Sequence, residues 1–337
     1  MRKNNRVKKY QDTTTDRLKE WWLLLDTVEH LEDPTVEAGR QAETFLQTLV
    51  ETNLKYKGAY CFLGKRVYSH KFKRRFEIDL IVLTKKHIYF LEVKNWSGQV
   101  VRKDNEWLQI RTNGEIIRHP DLTKYNSQKQ KALISFLKGN HIDLKQKYFS
   151  QKVIFMNPNL QLAPDIFKNP DVIPFQHLQD YLRTQKGVSV SERVIHSIID
   201  ICLESEKSAI IIDGLFGAMN KNMFNRTQKL LSGLETWDKV VLHGGRVVTG
   251  DLLKLYTATK NIDLKRLPSG TKCKVSWNRS KVLGLAQALL TKKSLGTIKL
   301  PNEKLSISPS DTIKFHFAGE PSPSIISVKD IEMVIRG

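Results

Sequence analysis

Two carboxylates and a lysine stand on neighbouring predicted strands of residues 76–96, FEIDLIVLTKKHIYFLEVKNW. Runs rich in Ile, Val, Phe and Tyr on both sides of a Lys-Lys pair predict two antiparallel strands joined by a short turn. If that turn is symmetric, Asp79 faces Glu92, and facing residues point to the same side of a sheet. Lys94 follows two positions after Glu92 and shares that side. The spacing therefore brings the three side chains together at one end of a hairpin.

The paired carboxylates would repel one another unless a positive charge lies between them. Oxygen ligands favour Mg²⁺ or Mn²⁺ over zinc, and a metal held in this way polarises a phosphoryl oxygen and lowers the pKa of a bound water. Lys94 is placed to orient or deprotonate that water, or to stabilise the developing charge. The basic residues of the preceding segment would hold a phosphodiester backbone nearby; they are Lys65, Arg66, Lys71, Lys73, Arg74 and Arg75.

A structural interpretation of the same residues is an edge hairpin in which Lys94 forms a salt bridge with one carboxylate. An acid-x-Lys triplet arises easily by composition, and residues 143–145 and 263–265 repeat it. The triplet at Lys94 differs because an apolar strand precedes it and Asp79 stands upstream in facing register. Both interpretations remain open on the pattern alone.

The surrounding pattern predicts the elements that carry these residues. Apolar residues at helical spacing predict helices over residues 13–32, 35–53 and 121–138. Short runs with a period of two predict strands between the last two helices, and residues 153–156 predict a central apolar strand. The fold class is therefore α/β, a mixed sheet flanked by helices, followed by a helical linker and a small β-rich C-terminal domain.

The charge of the chain points to a polyanionic partner. Lys and Arg total 55 against 35 Asp and Glu, a formal net charge of +20, and residues 236–299 carry 13 basic and three acidic residues. Nucleic acid and an anionic membrane surface are the two candidates. We rank the membrane lower and predict no membrane partner, because no clear amphipathic basic helix stands out. Three widely spaced cysteines and the lack of a long apolar run predict a cytoplasmic location.

Several landmarks resemble, in order, the NERD (nuclease-related domain) family, a branch of the PD-(D/E)xK nuclease superfamily. Residues 38–43 look like its helix signature, a glycine followed four residues later by a glutamate. Residues 77–79 resemble its E-I-D strand, and residues 92–98 its E-V-K-N strand end with a following glycine. Asn126 and Gln130 look like its N-P-x-x-Q segment, with serine in place of the proline. The resemblance covers residues 35–160.

The resemblance implies a restriction-endonuclease-like fold with a site for Mg²⁺ or Mn²⁺. By analogy, Glu43, Asp79 and Glu92 would be the metal ligands and Lys94 the catalytic lysine. Gln130 would support the site or contact nucleic acid. Glu77 lies two positions before Asp79 and so points to the same side of a regular strand. It would support the metal ligands without binding the metal itself.

We therefore expect a metal-dependent endonuclease that hydrolyses DNA phosphodiester bonds. The expected domains are an N-terminal basic arm and helix (1–34), a nuclease-like domain (35–180), a helical connector (181–235) and a basic, nucleic-acid-binding C-terminal domain (236–337). Two alternatives remain: a non-catalytic protein that binds or recruits nucleic acid through a nuclease-like fold, and a nuclease directed at RNA. Protein partners, specificity and pathway do not follow from the sequence.

Overall fold

The computed structural model describes residues 13–54, 58–184, 219–291, 294–318, 320 and 322–337. The chain divides into two compact units: Pro34–Thr236, the central unit, and Met1–Asp33 with Trp237–Gly337, the terminal unit. The first predicted helix spans Thr14–Leu25 (α1). It therefore belongs to the terminal unit, whereas the sequence analysis placed it in a segment of its own. Most of the connector predicted over residues 181–235 lies outside the described residues.

A five-stranded mixed sheet runs through the central unit. In spatial order its strands are β1 (Tyr60–Ser69), β2 (Arg74–Leu83), β3 (Ile88–Lys94), β7 (Phe149–Phe155) and β9 (Val172–Ile173). The first three strands are antiparallel, whereas β7 and β9 run parallel to β3 and to each other. β-branched and aromatic residues, which pack well on a pleated surface, dominate these strands. The mixed sheet predicted from the sequence is confirmed.

Helices cover both faces of this sheet. One face packs on α2 (Pro34–Leu54) and α5 (Phe175–Thr184), and the other on α3 (Leu122–Gly139) and α6 (Lys221–Ser232). The alternation of the strands explains the two cores, because neighbouring residues point to opposite sides. Val82 packs with Leu46 of α2, whereas Ile81 packs with Leu133 of α3. A one-turn helix, α4 (Pro164–Phe167), completes the helices described in this unit.

A second, four-stranded sheet lies beside the first within the central unit. Its spatial order is β6 (Ile116–Pro120), β5 (Glu106–Ile110), β4 (Gln99–Lys103) and β8 (Gln161–Leu162). Trp107 of β5 is fully buried and stacks on Phe155 of β7, with ring centroids 6.2 Å apart. This contact joins the two sheets and places β4–β6 next to the C-terminal end of β3.

In the part of the terminal unit that the structure describes, a nine-stranded antiparallel sheet is accompanied by two α-helices. Its strands are β10 (Asp238–Leu242), β11 (Val247–Tyr256), β12 (Asn261–Asp263), β13 (Lys272–Trp277), β14 (Gly296–Lys299), β15 (Lys304–Ile307), β16 (Thr312–Phe317), β17 (Ser324–Ser327) and β18 (Ile331–Ile335). The predicted β-rich character is confirmed. A helix that the sequence analysis did not predict, α7 (Lys281–Leu290), lies between β13 and β14 and packs on α1. None of the described helices combines the length and hydropathy needed to cross a bilayer.

Candidate active site

The pairing of β2 with β3 determines where the carboxylates of the hairpin lie. The two strands pair in the predicted register, with Ile81 opposite Phe90. The main-chain pairing ends at Leu80, the residue that follows Asp79. From there the Asp79 carboxylate accepts a hydrogen bond from the Val93 amide at 2.8 Å. A side chain thus takes the place of a main-chain acceptor, which fixes Asp79 at the end of the strand pair.

The regular alternation of β2 residues between the two faces of the sheet is interrupted near Asp79. Phe76 and Ile78 belong to the same core as Ile81, although residues three apart point to opposite faces of a regular strand. Strict alternation would place Glu77 on the face of Asp79. The structure instead leaves Glu77 exposed between two core residues, on the opposite side from the Asp79 carboxylate.

Two lysines bridge the two carboxylates. Lys94 Nζ lies 2.7 Å from Glu92 Oε1 and 3.6 Å from Asp79 Oδ2. Lys129, on α3, donates a hydrogen bond to Glu92 Oε2, and its Nζ lies 3.7 Å from Asp79 Oδ1. Each carboxylate therefore faces both ammonium groups. We call these four side chains the ion quartet.

Burial makes the charges of the ion quartet depend on one another. Burial opposes ionisation of Glu92, but the ammonium groups of Lys94 and Lys129 outweigh it and lower the Glu92 pKa. Burial also disfavours the charged lysines, yet Asp79 and Glu92 raise the pKa of both. For Asp79, burial and the Glu92 charge together raise the pKa. Asp79 is therefore the carboxylate of the quartet that takes up a proton more readily.

The position of α3 determines where Lys129 lies. Asp121 caps the first turn of the helix by accepting hydrogen bonds from two main-chain amides. The Asn126 side chain donates to main-chain carbonyls of β3 and β7 at 3.4 and 3.2 Å, so it anchors the helix to the sheet. Lys129 follows three positions later on the same helix face. Gln130 is buried next to it in sequence.

Glu43 reaches the same region from α2. The Asn95 side chain donates to the Ala38 carbonyl at 3.2 Å, which ties the first turns of α2 to the end of β3. Burial, followed by the negative charges of Asp79 and Glu77, raises the pKa of Glu43 to about 7. Glu43 is half-buried and is therefore not turned to open solvent.

A cleft of about 520 Å³ opens above Glu43 and Lys94. The first turns of α2, the end of β3 with the residues after it, and β5 and β6 with the turn between them form its walls. Trp96 and His119 stack face to face on one wall, with ring centroids 4.0 Å apart. Burial, together with the charges of Lys94 and Arg111, lowers the pKa of His119, so the imidazole at this wall is neutral near pH 7. The cleft combines a cation, a half-buried acid and a flat aromatic surface.

Lys129 is a residue of the site that the sequence did not predict. Its residue type alone does not distinguish this lysine from the many others of a basic chain. The available signal was its spacing from Asn126 on a predicted helix, because a buried asparagine anchor implies that the residue three positions later also faces the sheet. That inference needs the packing of the helix, which the sequence pattern leaves undetermined.

Comparison with known families gives a match within the central unit. Residues 37–156 match the family model of the nuclease-related domain, NERD. This chain contains a nuclease-related domain. The matched range runs from the first turns of α2 to the residue after β7 and includes Glu43 and the whole ion quartet. A search of curated proteins and a search of solved structures each found no match.

The oxygen donors of the nuclease-related domain suit a divalent cation in their chemistry. Asp79 and Glu92 turn their carboxylates to a common point, and two cationic groups already lie there. Within the described ranges, however, no three His, Cys, Asp or Glu side chains come close enough together to hold a metal ion. In this structure Lys94 and Lys129 neutralise the acid pair, and Glu43 stands apart as a half-buried acid. A site made of all three acids stays a prediction.

The basic segment of the nuclease-related domain is divided by the fold. Arg66 is only 6% exposed, and Lys65 donates hydrogen bonds of 3.0 and 2.8 Å to the carbonyls of Ser232, the last residue of α6, and Leu234. Both therefore serve the packing of the unit, because β1 lies against α6, and the prediction that they bind nucleic acid is not supported. The residues at the β1–β2 hairpin do lie exposed; they are Lys71, Lys73, Arg74 and Arg75.

Proposed function

We propose that the nuclease-related domain hydrolyses phosphodiester bonds in DNA with the help of Mg²⁺ or Mn²⁺. The observation that carries this proposal is the convergence of Asp79 and Glu92 on Lys94, which lines the same cleft as Glu43. Structural ion pairs also perturb pKa values, but a raised carboxyl and cationic groups in an open cleft are typical of catalytic sites.

Each residue has a distinct part in this proposal. Asp79 and Glu92, with Glu43 once it is ionised, would hold the divalent cation. Such a cation polarises a phosphoryl oxygen and lowers the pKa of a water. Lys94, held by Glu92, would orient the attacking water and stabilise the negative charge that develops on the phosphate. Gln130 and the Asn126 anchor would keep α3 in place, and Glu77 acts on Glu43 through its charge.

The walls of the cleft suit a nucleic acid. Trp96 with His119 offers a flat surface on which a base stacks, and such stacking tolerates any sequence. Arg111 lines the same cleft and contributes positive charge. The exposed basic hairpin at Lys71 and Lys73 would add phosphate contacts, which carry no sequence information. We therefore expect binding with little sequence preference.

We assign the mixed sheet with α2 and α3 to the restriction-endonuclease-like folds, because the acids and Lys94 lie where β2 and β3 separate. We also propose the cytoplasm as the location, since a reducing compartment suits the unpaired thiols of Cys61 and Cys273.

The decisive experiment is nicking of supercoiled plasmid DNA by the full chain. Asp79→Ala should abolish the cleavage seen with Mg²⁺ or Mn²⁺ while leaving DNA binding at low salt intact. Asp143→Ala is the matched control, because Asp143 is the exposed acid of the acid-x-Lys triplet at residues 143–145. Cleavage that persists in EDTA, or in Asp79→Ala, would reject the mechanism.

A second candidate is a nucleic-acid-binding protein without catalysis. The ion quartet favours it, because Lys94 and Lys129 already neutralise the charges of Asp79 and Glu92. In addition, no three described side chains come close enough together to hold a metal ion. A purified protein that shifts DNA but shows no turnover with any divalent metal would establish this alternative. Parallel assays on RNA, single-stranded DNA and duplex DNA distinguish an RNA-directed nuclease from a DNA-directed one.

A further inference from the structure

Helix α7 of the terminal unit has two different faces. Its buried face carries Gly284 and Ala288, which pack against α1. Its outer face carries four large apolar residues at 46–83% exposure, namely Val282, Leu283, Leu289 and Leu290. At 100° per residue these four fall within an arc of about 120°, opposite the buried pair. We call this outer face the α7 stripe.

The stripe is held firmly in place. A side chain at Gly284 would come within 2.9 Å of Trp21, so glycine permits the close contact of α7 with α1. Arg17 of α1 donates a hydrogen bond to the Ala288 carbonyl at 2.9 Å. The helix therefore cannot turn its apolar side inward without breaking these contacts. α1 also exposes Trp22, at 67%, and tryptophan is enriched where proteins meet the membrane interface.

The chain segment that carries the stripe is basic, whereas α1, which packs on α7, contributes the acids Asp16 and Glu20. Residues 264–302 contain nine Lys and Arg and no Asp or Glu. Lys281, at the first turn of α7, and Lys272 and Lys274, on β13, are exposed. An exposed apolar strip within such a basic region matches the two components of an anionic bilayer, which offers acyl chains behind negatively charged headgroups.

We propose that the α7 stripe docks the terminal unit on an anionic phospholipid surface. Binding of nucleic acid would account for the basic residues, but it would not account for the exposed leucines. A second copy of the chain would bring two basic regions together, which is unfavourable. A protein groove that wraps a basic amphipathic helix would need the face of α7 that α1 already covers. A bilayer needs one face alone, and the exposed face is the apolar one.

A membrane partner ranked lower on the sequence because no amphipathic basic helix stood out. The helix was hidden because residues 281–290, KVLGLAQALL, are apolar on most positions. Packing of Gly284 and Ala288 on α1 creates the two faces. The inference concerns peripheral docking and is independent of the proposed nuclease activity.

Co-sedimentation of the full chain with vesicles tests the proposal, in the absence of DNA. The vesicles are phosphatidylcholine alone, or an equal mixture of phosphatidylcholine and phosphatidylglycerol. The test variant is Leu283→Asp with Leu290→Asp, two exposed positions where a carboxylate costs the fold little. The control is Ile325→Asp, an apolar residue of the same unit at 58% exposure, outside the stripe. Thermal unfolding checks that each variant is folded.

We expect the wild type and Ile325→Asp to sediment with the mixed vesicles and not with phosphatidylcholine alone. The double variant should lose at least about tenfold in affinity, which corresponds to 1.4 kcal/mol. The proposal is overturned if the wild type stays in solution, or if the double variant sediments equally well. It is also overturned if the stripe instead drives dimerisation in sedimentation velocity, or if the double variant loses DNA binding with no change toward vesicles.

Discussion

At the residue scale, Lys129 determines the electrostatics of the candidate site. It is 4% exposed, and its ammonium group faces both carboxylates of the acid pair. A buried ion pair contributes little net stability relative to an apolar replacement, but removing one partner leaves an uncompensated charge. Lys129 therefore acts as an internal cation at the point where a divalent ion would bind.

We expect Lys129→Met to destabilise the protein without added metal by about 3–5 kcal/mol, because Glu92 then keeps a single cationic partner. Added Mn²⁺ should raise the melting temperature of this variant more than that of the wild type, since the competing ammonium group is gone. Thermal unfolding with and without Mn²⁺ measures both effects. Lys131→Met, at an exposed position of the same helix, is the control and should change neither. Equal melting temperatures for the two variants would contradict the role of Lys129.

Glu43 should make stability depend on pH in a defined window. Its pKa rises from 4.5 to about 7 in the folded protein, so between these values the folded state binds more protons than the unfolded chain. The free energy of unfolding should then fall as pH rises through this window. Glu43→Gln cannot ionise, so its stability should exceed that of the wild type at pH 8 and match it more closely at pH 4.5. Denaturant unfolding across the pH range measures the difference. Parallel curves would show that Glu43 has an ordinary pKa.

At the scale of elements, the cleft depends on how β4–β6 meets the end of β3. Gly98, just before β4, has a φ of +85°, and a Cβ there would lie 2.0 Å from the Ile110 carbonyl oxygen. This close approach keeps Trp96, which precedes the turn, near the β5–β6 wall of the cleft. A side chain at this position would push β4 away from β5.

Gly98→Ala and Gly114→Ala separate backbone strain from this steric effect. Both glycines have a positive φ, but nothing lies within 4 Å of a Cβ at Gly114. Each variant should lose about 1–2 kcal/mol through the left-handed backbone, and Gly98→Ala a further 1–3 kcal/mol or so through overpacking. Chemical denaturation gives the two values. A Gly114→Ala variant as unstable as Gly98→Ala would argue against a close packing of the cleft wall.

At the scale of the whole molecule, the charge should govern association with nucleic acid. Each phosphate contact releases condensed counterions, so the affinity for DNA should fall steeply with salt. Lys71→Ala with Lys73→Ala should reduce the slope of log affinity against log salt by about two. Lys131→Ala with Lys138→Ala, on the exposed side of α3, is the control of equal charge. Filter binding at several salt concentrations measures the slopes, and equal slopes for both pairs would exclude the hairpin as a contact.

Local patterns were sufficient for part of the fold and of the site. The hairpin register of β2 and β3, the mixed sheet and the β-rich terminal unit follow from alternation and helical spacing, which depend on near neighbours in the chain. The strict alternation that misplaced Glu77 failed because β2 changes face at Asp79. The prediction that Lys65 and Arg66 bind nucleic acid is not supported, because α6, which is distant in sequence, packs against this part of β1.

The sequence by itself determined that Asp79, Glu92 and Lys94 share one end of a hairpin, since the pleat of two adjacent strands fixes their side. Tertiary structure alone decided that Lys129 completes the charge balance, that Glu43 is half-buried with a raised pKa, and that α7 turns leucines outward. Each of these depends on the rotation of a helix against its neighbour, and that rotation is set by distant contacts such as those of Asn126 and Gly284.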